Sequence, residues 1–408
     1  MAKTVVLIGT LDTKGPEIAY LRDRLQEFGL STIVIDSGIL GEPLEILPDI
    51  PHEQSATYAG SSLEAMRSAG SRGKAVGMMR ESLQNLALKL YQEGRLDAAV
   101  SMGGAEGAIM GAAAMMVLPV GVPKVLVSPI ASGHHYFAPL VGTKDMMVVH
   151  SVVDILGLNS IACSVFDNVA AALSGMVEHG HGLPEPKKRN VAITMLGNTT
   201  IAVMEVKKRL ENAGYEAVIF HSNGVGGPAM EELAEQGQFV GIIDYTTNEV
   251  YDPLVGGIHD GGPDRLEVAG RLGLPQVVLP GCIDFSVWNT GTVPESLRDR
   301  PMYDHNPEYV LVRASGDEME ELGRIFARKL NQAKGDVVVM VPTEGLSIPN
   351  TPGGVFWDPD ADSRFLGALK QNLRTNISVD IYDCNVNDPL FGEAVADVFI
   401  QLMDNQKT

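Results

Sequence analysis

Four residues in the second half of the chain have the types that move protons: His221, Asp244, Glu249 and His305. His221 closes the apolar run YEAVIF, and Asp244 closes GQFVGII. Both runs read as strands, so both side chains stand at strand carboxyl ends and are expected to open on one crevice. An imidazole titrates in the range that suits general acid/base work. Asp244 and Glu249, with Thr246 and Thr247 between them, would orient that imidazole, hold a cation or bind a sugar hydroxyl. N-capping by Thr246 or Thr247 with Glu249 is the competing account. His259, Cys282 and Asp284 lie in neighbouring loops and could join His221 and His305 around a metal ion. Ordinary hydrogen-bonded loop roles are the alternative.

Glycine-rich turns follow the same kind of strand elsewhere. Gly9-Thr10-Leu11-Asp12-Thr13-Lys14 ends one strand and leads to a helix with Pro16 near its first position. Backbone N–H groups and threonine hydroxyls there suit an anion, and Lys14 adds a point charge. Helix capping alone would also explain Asp12 or Thr13. Gly103, Gly104 and Gly107 follow a second strand, where glycine admits either a phosphate or a close-packed helix. Ser132 and Gly133 follow a third, just before His134 and His135. Asn223, Gly224, Gly226 and Gly227 follow the strand that ends in His221 and form a second phosphate-cradle candidate.

The elements that must position these groups recur twice in the same order. VVLIGT (5–10), EFGLSTIVID (27–36), GRLDAAVSMGG (94–104) and GVPKVLVSP (121–129) are matched by VAITMLGNTT (191–200), ENAGYEAVIF (211–220), GQFVGIIDYTT (237–247) and GLPQVVLPG (273–281). Strands are predicted at 4–8, 32–36, 97–101, 124–128, 191–196, 216–220, 239–243, 275–279, 308–313, 336–341 and 377–382. They are continuous apolar runs without alternation, as in strands covered on both faces of a parallel sheet. Helical periodicity fills the gaps, for example Ile18, Leu21, Leu25 and Phe28. The fold class predicted is α/β, with two Rossmann-like doubly wound parallel-sheet domains facing across a cleft. EHGHGLPEPKKRN (178–190) is the natural linker, dividing residues 1–183 from 184–408. Residues 38–75 read as an excursion, with Gly73 to Gly77 a candidate mobile loop.

Net charge is −20, with 51 Asp and Glu against 31 Lys and Arg. With no basic face, nucleic acid is not an expected partner. Three cysteines without CxxC spacing suggest neither a disulfide framework nor a zinc ribbon, and fit a cytoplasmic protein. The start reads as a strand and turn rather than a secretory signal. The uncharged stretch 107–123 reads as a buried helix and loop, so no membrane association is expected.

Taken together, GTLDTKGPE (9–17), GVPKVLVSPIASG (121–133), VGTKD (141–145), SVVDILGLNSI (151–161), ITMLGNTT (193–200), GYEAVIFHSNGVGGPAM (214–230), DYTTNEV (244–250) and LPGCIDF (279–285) resemble the Tm-one-like ATP-binding domain family. That family includes many bacterial proteins and the N-terminal domain of a plant tobamovirus-resistance protein. The resemblance covers essentially the whole chain. It implies two Rossmann-like subdomains, a nucleotide site, and a homo-dimer or higher homo-oligomer. It makes the turns at Gly9-Thr10, Gly103-Gly104 and Gly224–Gly227 the phosphate candidates, with ATP and Mg²⁺ as cofactors. The chain departs from the family pattern at Glu106 and Ala108, which bring a carboxylate and remove a hydroxyl beside one candidate. The combined expectation is an enzyme, a hydrolase, lyase or ligase. It would bind a nucleotide or a small anionic carboxylate or carbonyl metabolite in an interdomain cleft, with acid/base or metal-assisted chemistry using Mg²⁺ or another divalent metal. The alternative is an ATP-binding regulatory or partner-binding protein without turnover.

Overall fold

The computed structural model describes residues 2–131 and 138–406. The chain divides into two compact units, Met1–Pro184 and Glu185–Thr408, and the division falls inside the Gly/Pro-rich stretch 178–190.

The first unit carries strands β1 (Thr4–Gly9), β2 (Ser31–Asp36), β3 (Ala98–Met102), β4 (Lys124–Ser128) and β5 (Met147–His150). They form one sheet in the order β2-β1-β3-β4-β5, with every pairing parallel. The continuous apolar runs are explained by helices on both faces. Val6, Ile8, Ala99 and Leu126 pack against helices Arg72–Gln92 and Ala105–Met116. Val5, Leu7, Val100 and Val125 pack against Leu11–Glu27 and Ser160–His179. Alternate residues of one strand thus serve opposite layers. The chain leaves β1 for β2 on one side and returns to β3 on the other, so the strand order reverses between β1 and β3.

The second unit repeats this plan. It holds β6 (Arg189–Met195), β7 (Tyr215–His221), β8 (Gly241–Thr246), β9 (Gln276–Gly281), β10 (Phe285–Asn289), β11 (Met302–Asp304), β12 (Tyr309–Arg313), β13 (Val337–Pro342) and β14 (Ser378–Tyr382). Six of them make a parallel sheet in the order β14-β13-β9-β8-β6-β7. The remaining three form an antiparallel sheet, β10-β12-β11. The run 308–313, predicted as part of the parallel layer, belongs to this small sheet instead.

Two local expectations are corrected. Gly73 and Gly77 are no mobile loop but lie inside helix Arg72–Gln92, whose N-cap Ser71 accepts from the Lys74 N–H. The first helix begins with one turn at Leu11, breaks at Lys14 (φ −126°, ψ 18°) and then runs on with Pro16 in the next turn. Ser160–His179 is one described helix long and apolar enough to cross a membrane by length and composition. Its Phe166 and Asp167 dock on Tyr20, through a ring contact of 6.4 Å and a 2.9 Å hydrogen bond from the phenol.

Candidate functional site

In the N-terminal unit, the carboxyl ends of β1 and β3 border a cavity of 810 Å³. Thr10, Asp12, Thr13 and Lys14 line it from the turn after β1, and Gly104, Glu106 and Gly107 from the turn after β3. The excursion after β2 adds Arg67, Ser68, Ser71 and Arg72. Three helices therefore begin at this cavity, with N-caps Thr10, Ser71 and Gly104. Gly104 gives its helix no side-chain cap, which leaves first-turn N–H groups there for something else to accept, whereas at the Thr10 helix the Leu11 N–H goes to Asp36 and those of Thr13 and Lys14 to the Thr10 carbonyl.

Each charged group has a definite tether. Lys14 donates to the Ile155 carbonyl. Arg67 donates to the carbonyls of Ile39 (2.6 Å) and Leu40 (3.2 Å). Asp12 accepts from the Gly41 N–H at 3.1 Å. Arg72 pairs with Glu106 at 2.6 Å, which neutralises the carboxylate that the sequence places beside the phosphate candidate. The Arg72 side chain is 76% exposed, so the pair is weak and easily exchanged for a stronger anion. Beneath the cavity, buried Asp36 accepts from the N–H groups of Leu11 (3.1 Å) and Gly38 (2.8 Å), and burial raises its pKa.

Of the residues predicted in this unit, Thr10, Asp12, Thr13, Lys14, Gly104 and Gly107 line the cavity. Gly9 and Gly103 have packing roles: a Cβ at Gly9 would press on Ile18, and one at Gly103 would lie 3.0 Å from the Gly107 Cα. Ser132, Gly133, His134 and His135 lie outside the described residues. Arg67 and Arg72 were not found from sequence. The available signal was the SAGSRGKAVG segment, whose basic residues follow a capping serine.

In the C-terminal unit, Asp244 and Glu249 are internal partners of Arg265, and this corrects the acid/base centre drawn from sequence. Arg265, 1% exposed, donates to both oxygens of Asp244 (2.5 and 2.7 Å) and to Glu249 Oε2 (2.7 Å). Thr194 also donates to Asp244, at 2.8 Å. Glu249 Oε1 accepts from the N–H groups of Gly224 (2.8 Å) and Gly227 (3.1 Å). Those are the amides predicted to cradle phosphate; a carboxylate of the chain itself occupies them. A Cβ at Gly227 would overlap Glu249 and Arg265, and one at Gly226 would overlap the His221 carbonyl. This glycine run is therefore explained by close packing. Thr246 and Thr247 are also internal: Thr246 Oγ1 meets Thr199 Oγ1 at 2.8 Å, and Thr247 donates to the Leu279 carbonyl. Glu231 joins the cluster 3.6 Å from Arg265, and burial pushes its carboxyl up to about 7.

His221 and His305 do come together, with His259, around a second cavity of 260 Å³ beyond β6 and β7. Asn223 lines it too, its Oδ1 accepting from the N–H groups of Val225 and Gly226 at 3.3 Å. Cys282 and Asp284 are buried and do not line this cavity, although Cys282 packs against its wall residues Leu196, Phe285, Val287 and Leu311. Burial holds the Cys282 thiol protonated and raises Asp284 to about 6. Among the described residues, no three His, Cys, Asp or Glu side chains are grouped to hold a metal ion.

Comparison with known proteins agrees with the two-unit division. The N-terminal domain model of the uncharacterised protein family UPF0261 matches residues 3–182, and the C-terminal domain model matches 188–403. A UPF0261 protein of Clostridium tetani is 38% identical over 99% of this chain and 100% of its own length. One of Mesorhizobium japonicum is 34% identical over 97% of this chain and 98% of its own. The tomato ToMV resistance protein Tm-1(GCR237) is 31% identical over 98% of this chain, which spans 55% of that protein. A UDP-N-acetylglucosamine 2-epimerase structure aligns at 9% identity over 92% of each chain with a TM-score of 0.24, too remote to carry an argument.

Proposed function

The chain belongs to the UPF0261 family, and from that premise we propose that its N-terminal unit binds a phosphate-bearing ligand of the nucleotide class in the cavity between the β1 and β3 ends. One observation carries the reading: the 810 Å³ cavity coincides with the point where the strand order of the first sheet reverses. In open α/β sheets with this order, ligands bind in the crevice at that point. The volume suits a nucleotide-sized molecule. Helix N-termini supply N–H donors, and Arg67, Arg72 and Lys14 outnumber Asp12 and Glu106. Met66, Val76 and Met110 give an apolar wall for a flat ring. Asp12 and Thr13 offer the oxygen atoms that a Mg²⁺ ion arriving with a polyphosphate would use.

The chemistry on offer here is binding and charge neutralisation. With Asp244 and Glu249 committed to Arg265, the reading best supported is a nucleotide-binding protein, with turnover not assigned to those carboxylates. Calorimetry with Mg-ATP and Mg-ADP tests it. Saturable binding by the wild type, lost in Gly104→Val, is expected, because a Cβ at Gly104 meets open space yet stands where a phosphate would approach. Absent binding, or binding indifferent to that change, would remove the proposal.

A further inference from the structure

The C-terminal cavity differs in kind from the N-terminal one. Its lining contains neither Asp nor Glu, although the chain holds 51 of them. Nor does it contain Lys or Arg. Its polar groups are three imidazoles, with asparagine amides and Tyr309. Its floor is apolar, made by Leu196, Phe285, Val287 and Leu311.

We propose that this cavity is a second, independent ligand site that takes a small organic anion, its phosphate or carboxylate head held by His221, His259 and His305 and its carbon frame resting on the apolar floor. Each imidazole comes from a different element. His221 ends β7, His259 sits in the loop after Asp252–Val255, and His305 sits between β11 and β12. The hairpin carrying His305 is fixed by N–H groups of His305 and Asn306 donating to the Tyr309 carbonyl. His259 is held at two points: its N–H donates to buried Asp252 at 2.7 Å, and its Nδ1 meets Asn248 Nδ2 at 3.1 Å. With Nδ1 taken by Asn248, Nε2 is the atom left for a ligand.

An anion fits this arrangement better than a cation. Among the described residues these imidazoles are not grouped to hold one metal ion, but imidazoles around a cavity can each donate to a different oxygen of one anionic head. Burial, with His221 and His305 adding to it, lowers His259 to about 4. An anion beside His259 would offset that penalty and favour its charged ring, with the Asn248 amide turned so that Oδ1 accepts from Nδ1–H. The other ionisable groups around the loop are Asp252 and Asp260 beside His259, Asp304 beside His305, and Tyr309 across the cavity. Asp252 itself is pushed up to about 8 by burial.

The test is histidine ¹⁵N NMR of the full chain, titrated with inorganic phosphate and then phenyl phosphate. Expected: the resonances of all three histidines move together, their titration midpoints rise, and affinity increases about tenfold per pH unit on acidification for each proton taken up. Phenyl phosphate binds roughly tenfold more tightly than inorganic phosphate, because its ring covers the apolar floor. His259→Gln weakens both by roughly tenfold or more, as loss of one charge-assisted hydrogen bond requires. His305→Gln, on an exposed hairpin, does the same should His259→Gln fail to fold. Arg72→Ala, in the other unit, changes none of this.

Several results would overturn the proposal. One is phosphate leaving the histidine resonances unmoved, or moving them equally in the glutamine variants. Equal affinity for the two probes would remove the organic ligand. Zn²⁺ binding to the three histidines with proton release, and phosphate inert, would make the cavity a metal site instead. Loss of the shifts in Arg72→Ala would assign them to the N-terminal cavity.

Discussion

Replacing Arg265 by Met removes the cation on which the interior of the C-terminal unit is balanced. The guanidinium is 1% exposed and makes three hydrogen bonds to carboxylates, two to Asp244 and one to Glu249, with Glu231 3.6 Å away. Met restores much of the volume but none of the charge. Breaking one buried ion pair costs about 3–5 kcal/mol, because the remaining charge is left uncompensated. At roughly 2–4 °C per kcal/mol for a unit of this size, Arg265→Met should lower the melting temperature by roughly 6–20 °C.

The loss should also depend on pH. Without the guanidinium, Glu231, already pushed up to about 7 by burial, loses the cation that lowers it, so its folded-state pKa lies still further above its unfolded one. Such groups destabilise the fold above the unfolded pKa, and protonation removes the penalty as pH falls. The deficit should therefore shrink between pH 8 and pH 5. Differential scanning calorimetry of the full chain at those two values, with hydrogen exchange to assign the loss to residues 224–249, measures it. A melting temperature within 2 °C of wild type, together with lost ligand binding, would refute the reasoning and make Arg265 a ligand-contacting arm.

Gly227→Ala should destabilise the same unit by several kcal/mol, since the new Cβ overlaps Glu249 and Arg265; Gly104→Val should leave melting nearly unchanged, which parallel thermal scans would check. Arg72→Ala should alter stability by less than about 1 kcal/mol, the pair with Glu106 being exposed, yet weaken nucleotide binding measured by calorimetry. Wild-type stability should rise as pH falls from 8.5 towards 6.5. Over that window Asp252 (about 8) and Glu231 (about 7) take up protons in the folded state that the unfolded chain does not bind. Below 6.5 His259 offsets part of the gain, since its folded pKa is about 4 and the unfolded imidazole protonates first, but Asp252 and Glu231 still hold protons that the unfolded chain does not bind. Denaturant melts across pH 5.5–8.5 should show stability still rising at the acidic end of that window.

The parallel strands were legible because each is apolar on both faces, a pattern carried within five or six residues. The strands Met147–His150, Phe285–Asn289 and Met302–Asp304 were not. Met147–His150 is only half-buried, and Met302–Asp304 holds three residues, so neither leaves a continuous apolar run. The antiparallel strand Tyr309–Arg313 has the same buried character as a core parallel strand, and composition could not tell the two apart. At the sites, the turns after β1 and β3 could be read because strand end, glycine and helix start are adjacent in sequence. What neutralises a carboxylate is not local. Arg265 reaches Asp244 and Glu249 from another loop, and Arg72 reaches Glu106 from the excursion after β2. The polar residues after β8 were therefore legible as a cluster, while their commitment to the interior was not.

Hydrogen–deuterium exchange of the wild-type chain with and without saturating Mg-ADP tests the central claim most directly. The account predicts new protection in residues 10–14, 67–72 and 104–107, the three segments that border the N-terminal cavity. Protection confined to 221–227 and 244–249, with the N-terminal segments unchanged, would contradict it and return the phosphate to the glycine run that Glu249 now occupies.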